Sequence, residues 1–249
     1  MNSLEYGVTH SSHPILVKLS GEAFGGSSSG VDGEVLNCIG QELLLARDIN
    51  PRIAVVVGGG NFYRGITRES DLINRVEADY VGMLATVMNG IILQQWMERK
   101  NVRAKLLSAI PVGTIVEGYS KKLAKEYLDA DSVVILAGGT GNPFFTTDTT
   151  AVLRALELDA SLVVKATKVE GVFDCDPEDN AGAIKFDTID YDTALKKNLA
   201  VMDATAFTLC KSNGLSIRVL NVFTPGNLKE AFLGNDVGTL VHQTFGVNR

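Results

Sequence analysis

The chain has 249 residues, 45% hydrophobic and 21% charged, which excludes collagen-like, disordered and disulfide-stapled miniature classes. A formal charge of −6 offers no general positive field to a polynucleotide or an anionic membrane, so neither is expected as a partner. The three cysteines, Cys38, Cys175 and Cys210, lie far apart without CxxC or paired histidine spacing; they suggest neither a disulfide framework nor a zinc site and fit a reducing, cytoplasmic compartment.

Residues 1–14 lack the apolar core of a signal peptide and read as an extension before one domain over 15–243. Short apolar runs at 15–19, 53–57, 104–107, 133–136, 162–164 and 217–220 read as strands. They are continuous rather than alternating, which means burial on both faces and a parallel sheet covered by helices. Helical patterns fall between them, at about 34–47, 74–99, 120–128, 149–158, 204–212 and 228–233. In the longest, Val81, Leu84, Met88, Ile91, Ile92 and Trp96 recur as the core stripe. No apolar run approaches the roughly 20 residues that span a bilayer. The expected fold class is α/β, a three-layer αβα sandwich around a mainly parallel sheet.

Glycine-rich turns follow the first, second and fourth strands: Ser20-Gly21, Gly58-Gly59-Gly60-Asn61 and Gly138-Gly139-Thr140-Gly141. In open α/β sheets ligands bind beyond the carboxyl ends of the strands, so these turns should face one site. Turns without Cβ atoms let backbone N–H groups approach an anion, and phosphate is the natural occupant. No GxxxxGK[ST] loop, GxGxxG turn or kinase HRD and DFG motif is present, so phosphate chemistry here needs another scaffold. Lys18 and Lys165 close buried strands, where an ammonium is costly unless it meets an anion. Paired lysines suit a transferring phosphoryl group. Asp148 stands at the expected N-cap of the helix from 149. His10, His13 and His242 lie in the terminal segments, which argues against a histidine phosphoenzyme or a Ser/His/Asp hydrolase.

These segments resemble the amino acid kinase family and, within it, its bacterial uridylate kinase branch. Leu16-Val17-Lys18-Leu19-Ser20-Gly21-Glu22-Ala23, Val57 to Asn61 and Lys165 to Val172 resemble the family in general. The 78–89 helix and the run Thr140-Gly141-Asn142-Pro143-Phe144-Phe145-Thr146-Thr147-Asp148 are similar to the uridylate branch. The resemblance implies transfer of the γ-phosphoryl of ATP to UMP, giving UDP and ADP, with Mg²⁺ carried on the ATP phosphates and no metal ligand assigned. It implies catalytic roles for Lys18, Asp148 and Lys165. ATP contacts carry over to Lys18, Leu19, Ser20, Gly21, Gly60, Arg64, Thr167, Phe173 and Asp176. UMP contacts carry over to Gly59, Arg64, Asp79 at the ribose, and Thr140 through Thr147. No general base is required, because the acceptor phosphate is already ionised at pH 7.

The resemblance further implies a homo-oligomer, a hexamer built from dimers, with Met83, Val87, Ile91 and Trp96 of the long helix as a dimer seam, and inhibition by UTP. The 25–31 stretch is shorter than the branch's Gly-Phe-Gly-type turn and lacks its aromatic, which leaves activation by GTP open. Two other readings stand beside this one: a kinase of the same fold acting on a carboxylate or carbamate, and a non-catalytic nucleotide- or oxyanion-binding relative.

Overall fold

The computed structural model describes residues 13–25, 30–63, 73–177, 179–180, 182–199 and 201–243. In chain order the elements are β1 (Ile15–Leu19), α1 (Glu22–Gly25), α2 (Gly33–Arg47), β2 (Ile53–Val57), α3 (Arg75–Arg99), β3 (Ala104–Ser108), β4 (Glu117–Gly118) and α4 (Lys121–Asp129). They continue with β5 (Val133–Ala137), α5 (Thr147–Leu158), β6 (Leu162–Thr167), β7 (Thr188–Asp190), α6 (Tyr191–Lys196), α7 (Ala204–Asn213), β8 (Ser216–Asn221), α8 (Asn227–Phe232) and β9 (Thr239–His242). The strands form one sheet in the order β4-β3-β5-β2-β1-β6-β8-β9-β7. Every pairing is parallel except β8 with β9. The expected sandwich is present: α1, α2, α3 and α8 cover one face, and α4, α5, α6 and α7 the other.

The pleat assigns side chains to these two layers. Ile15, Val17 and Leu19 of β1 enter the α2/α3 core, while Leu16 enters the α5 core. Alternation therefore turns Lys18 toward α5. On β6 the same parity puts Lys165 with Val163 on that face, and Lys18 and Lys165 are register partners on the paired strands.

The long helix α3 differs from its reading in the sequence. Met83 and Val87 are buried in the chain's own core and Trp96 packs over Gly40, whereas Val81, Leu84 and Met88 are exposed. The seam residues and the core residues thus largely exchange places. A helix apolar on both sides has no single stripe, so periodicity could not say which side meets the sheet. By length and composition α3 could also cross a bilayer, with a mean hydropathy of 1.3 over its best window, although 44% of that window is buried in this fold. The expectation that no apolar run approached that length is corrected accordingly.

A long-range contact secures the far end of the α2/α3 layer. The N-cap of α8 is Gly226, which has no capping side chain. The buried carboxylate of Glu42 on α2 takes that role, accepting from Gly226 N at 2.7 Å and Leu228 N at 3.1 Å. An anion there also suits the positive end of the helix.

Candidate active site

Because β5, β2, β1 and β6 are neighbours, their carboxyl ends and the turns that follow lie side by side. The first two turns touch through their backbones. A Cβ on Gly21 would stand 2.0 Å from Gly60 N, and one on Gly58 2.4 Å from Gly21 N. Glycine is needed here first for the close approach of two chains, and only then for any ligand.

Helix α3 fastens these turns with three polar side chains from one of its sides. Asn89, fully buried, donates to Gly58 O at 2.7 Å and to Asn61 Oδ1 at 2.7 Å. Thr86 Oγ1 accepts from Gly138 N at 2.7 Å. Asp79 accepts from Phe144 N at 2.7 Å and from Arg75 Nε at 2.9 Å. Phe144 is held at φ 71, a left-handed conformation unusual for a bulky residue, with the Arg75 guanidinium 5.7 Å from its ring. Strain of this kind persists only where surrounding contacts enforce it.

Asp148 joins the lysines. Its Oδ1 lies 2.8 Å from Lys18 Nζ and its Oδ2 2.9 Å from Lys165 Nζ. Lys165 also donates to Val201 O at 2.5 Å. Two ammonium groups directly opposite on adjacent strands would repel; the carboxylate between them removes that penalty and leaves the trio with one net positive charge. Burial alone would push the Asp148 carboxyl up, yet the charges of Lys18 and Lys165 outweigh it and hold it below the usual carboxylate range. Asp148 is not the N-cap that the sequence suggested. The helix starts two residues earlier, Thr146 caps it by accepting from Asp148 N and Thr149 N, and the Asp148 carboxylate is left for the lysines.

Two cavities lie near the trio: Lys165 lines one, and Thr147, the residue before Asp148, lines the other. One of about 420 Å³ includes Lys165, Thr167, Phe173 and Asp176 in its lining. The other, about 200 Å³, includes Gly59, Gly60, Asp79, Phe145, Thr146 and Thr147. Thr140, Gly141, Asn142 and Pro143 form the adjoining turn and are not part of that lining. Phe144 turns its ring outward. Leu19 is buried in the core with its carbonyl bound to Gly58 N, and Ser20 Oγ accepts from Ala23 N at the start of α1. Arg64 lies outside the described residues.

Sequence reasoning missed several contributors. Tyr63, Arg75, Gly82, Met83 and Thr86 also line the smaller cavity. Asp203 accepts from Thr146 and Thr149 hydroxyls while capping α7, tying the starts of α5 and α7 together. A usable signal existed for α3: Thr86 and Asn89 are the polar side chains of its apolar stretch from 81 to 93, at spacings that place them on the same side as Asp79.

The amino acid kinase family's sequence model matches residues 14–221. The chain belongs to the amino acid kinase family. Among relatives of this amino acid kinase, the uridylate kinase of Alcanivorax borkumensis is 46% identical over 91% of the chain and 90% of its own length. Among solved structures, the UMP kinase from Bacillus anthracis superposes with a TM-score of 0.89 at 34% identity, covering 93% of this chain and 96% of that one. The UMP kinase from Ureaplasma parvum gives 0.87 at 32% identity, with coverage of 93% and 99%.

Proposed function

We propose that this amino acid kinase is a UMP kinase: it transfers the γ-phosphoryl of ATP to UMP, giving UDP and ADP. The observation that carries the mechanism is the Lys18–Asp148–Lys165 bridge, with Lys165 in the lining of the larger cavity and Thr147, next to Asp148, in that of the smaller. The kinship with uridylate kinases over nine-tenths of the chain carries the choice of substrate. It favours UMP over the carboxylate, carbamate and non-catalytic alternatives.

ATP is assigned to the larger cavity, its nucleoside near Thr167, Phe173 and Asp176. UMP is assigned to the smaller one, its ribose at Asp79 and its phosphate toward Gly59, Gly60 and Arg64, with the Thr140 to Thr147 turn around the base. The γ-phosphoryl then lies over Lys18 and Lys165. Charge in the transition state spreads over the three oxygens of that group, and fixed cations stabilise it without reorganising. Asp148 positions both ammonium groups. It removes no proton, since the UMP phosphate arrives ionised. Among the described residues no group of three His, Cys, Asp or Glu side chains could hold a metal ion. Mg²⁺ is assigned to the ATP phosphates, where it would neutralise charge on the donor.

The exposed stripe Tyr80, Val81, Leu84 and Met88 on α3 supports a homo-oligomeric reading, with this stripe replacing Met83 and Val87 as the dimer seam of a hexamer. Feedback by UTP, an open GTP response and a cytoplasmic location complete the reading. A coupled assay of ADP release with a panel of nucleoside monophosphates, acetylglutamate and carbamate tests it. Release should depend on UMP, and equal rates with acetylglutamate would refute the assignment.

A further inference from the structure

The wall of the larger cavity includes a hairpin running from Val172 to Phe186, which carries Phe173, Asp174 and Asp176 into the lining. Farther out its strands are joined at Asp174 N to Ile184 O, 3.0 Å, and by Ile184 N to Asp174 Oδ1, 2.8 Å. At its base Phe186 N donates to Val172 O at 2.9 Å, as an antiparallel pair should. The matching return bond is replaced. Val172 N donates instead to Thr239 Oγ1 at 2.8 Å, and that hydroxyl donates onward to Phe186 O. A single hydroxyl from β9 is thus inserted into the ladder and uses its acceptor and its donor together.

The fit leaves no slack. Thr239 is fully buried, and a Cβ on Gly171 would stand 2.5 Å from its Oγ1. Lys185 Nζ donates to Gly238 O at 2.8 Å, fastening the second strand of the hairpin to the residue before Thr239. Thr239 itself lines neither cavity, and no hairpin residue lines the smaller one.

We infer that Thr239 is a positioning residue for the phosphoryl donor: its hydroxyl clasps the base of the 172–186 hairpin and so holds the nucleoside wall of the larger cavity in its binding arrangement. This rests on the assignment of ATP to that cavity. A wall that is closed only part of the time lowers apparent affinity by the closed fraction. A loss confined to this wall should leave the acceptor and the lysine trio undisturbed.

The test is the full-length enzyme with Thr239→Val, which keeps the shape and removes the hydroxyl. The KM for ATP should rise about fivefold or more, as loss of a buried hydrogen bond allows. The KM for UMP and kcat at saturating ATP should stay within about twofold. Backbone hydrogen exchange should quicken in peptides covering 171–187 and nowhere else. Thr239→Ser should restore both readouts. Thr239→Ala, with room for a bridging water, provides the second variant and should fall between Val and Ser. An unchanged KM for ATP, an equal rise for UMP, or failure of Ser to restore the enzyme would overturn the inference. Absence of ATP-dependent turnover in the unmodified enzyme would instead remove the cavity assignment, while unchanged exchange in Thr239→Val would refute the clasp itself.

Discussion

The two sides of the site are held in different ways. On the acceptor side one helix does most of the fastening: Asp79, Thr86 and Asn89, all within three turns of α3, reach the 144 loop, the Gly138 turn and the Gly58 turn. On the donor side the contacts come from distant parts of the chain, with Thr239 of β9 gripping the 172–186 hairpin and Val201 O receiving Lys165. The acceptor wall is therefore fastened to one long helix packed on the sheet. The donor wall rests on the Thr239 hydroxyl and the Lys185–Gly238 contact that hold its hairpin, and local opening is expected there first.

Asp148 stands where the two sides meet, so the most damaging substitution should be one that strikes the trio. On the proposed assignment, Lys18→Ala removes a fixed cation from the transferring group and should lower kcat by about 10²-fold or more, with a smaller change in KM for UMP. Lys165 and Asp148 remain paired in that variant, so folding should persist. Retention of most of the turnover would reduce Lys18 to a structural lysine.

A substitution confined to the acceptor side should separate the two regions. Asp79→Asn keeps an oxygen for Phe144 N but loses the charge that pairs with Arg75 and that is proposed to accept from the sugar hydroxyls. The KM for UMP should rise about tenfold, in line with loss of a charged hydrogen bond, while the KM for ATP stays put. Equal rises for both substrates would mean that Asp79 acts on the whole site through the Phe144 loop rather than on the ribose. Set beside Thr239→Val, the pair of variants should move opposite Michaelis constants.

The same contrast explains what could be read from the chain alone. All six sequence-predicted strands and the covered parallel sheet were legible, because continuous apolar runs between helical patterns admit few other arrangements. The lysine pair was legible as strand-end charge, although its register needed the β1–β6 pairing. The short elements β4, β7, β9, α1 and α6 were not, since runs of two to six residues show too little period. Thr239 could not have been singled out: nothing local distinguishes a threonine that completes a hairpin more than fifty residues upstream. Asp148 was placed beside the helix start and, through the resemblance, grouped with the catalytic lysines, while the local pattern also offered it the capping role that belongs to Thr146. Either residue fits the local pattern, and only the lysines arriving from the sheet decide between them.

The smallest signal expected comes from pH, and it tests whether the trio couples the two walls in the free enzyme. The folded carboxyl of Asp148 lies below its ordinary range because the two lysines outweigh its burial. A carboxyl depressed by folding contributes stability that is complete above the unfolded value, about 4, and is lost as the pH falls through the lower folded value. In Asp148→Asn that contribution is absent at every pH, and the lysines face each other without their anion. The gap in denaturation midpoint between the natural chain and this variant should therefore be widest above about pH 4 and should close below it. Comparing the two proteins cancels the background from the other acidic groups, which number 28 of the 29 Asp and Glu side chains. Parallel curves through the acid range would mean that the bridge forms only once nucleotides are bound, and the two walls would then be independent until substrate joins them.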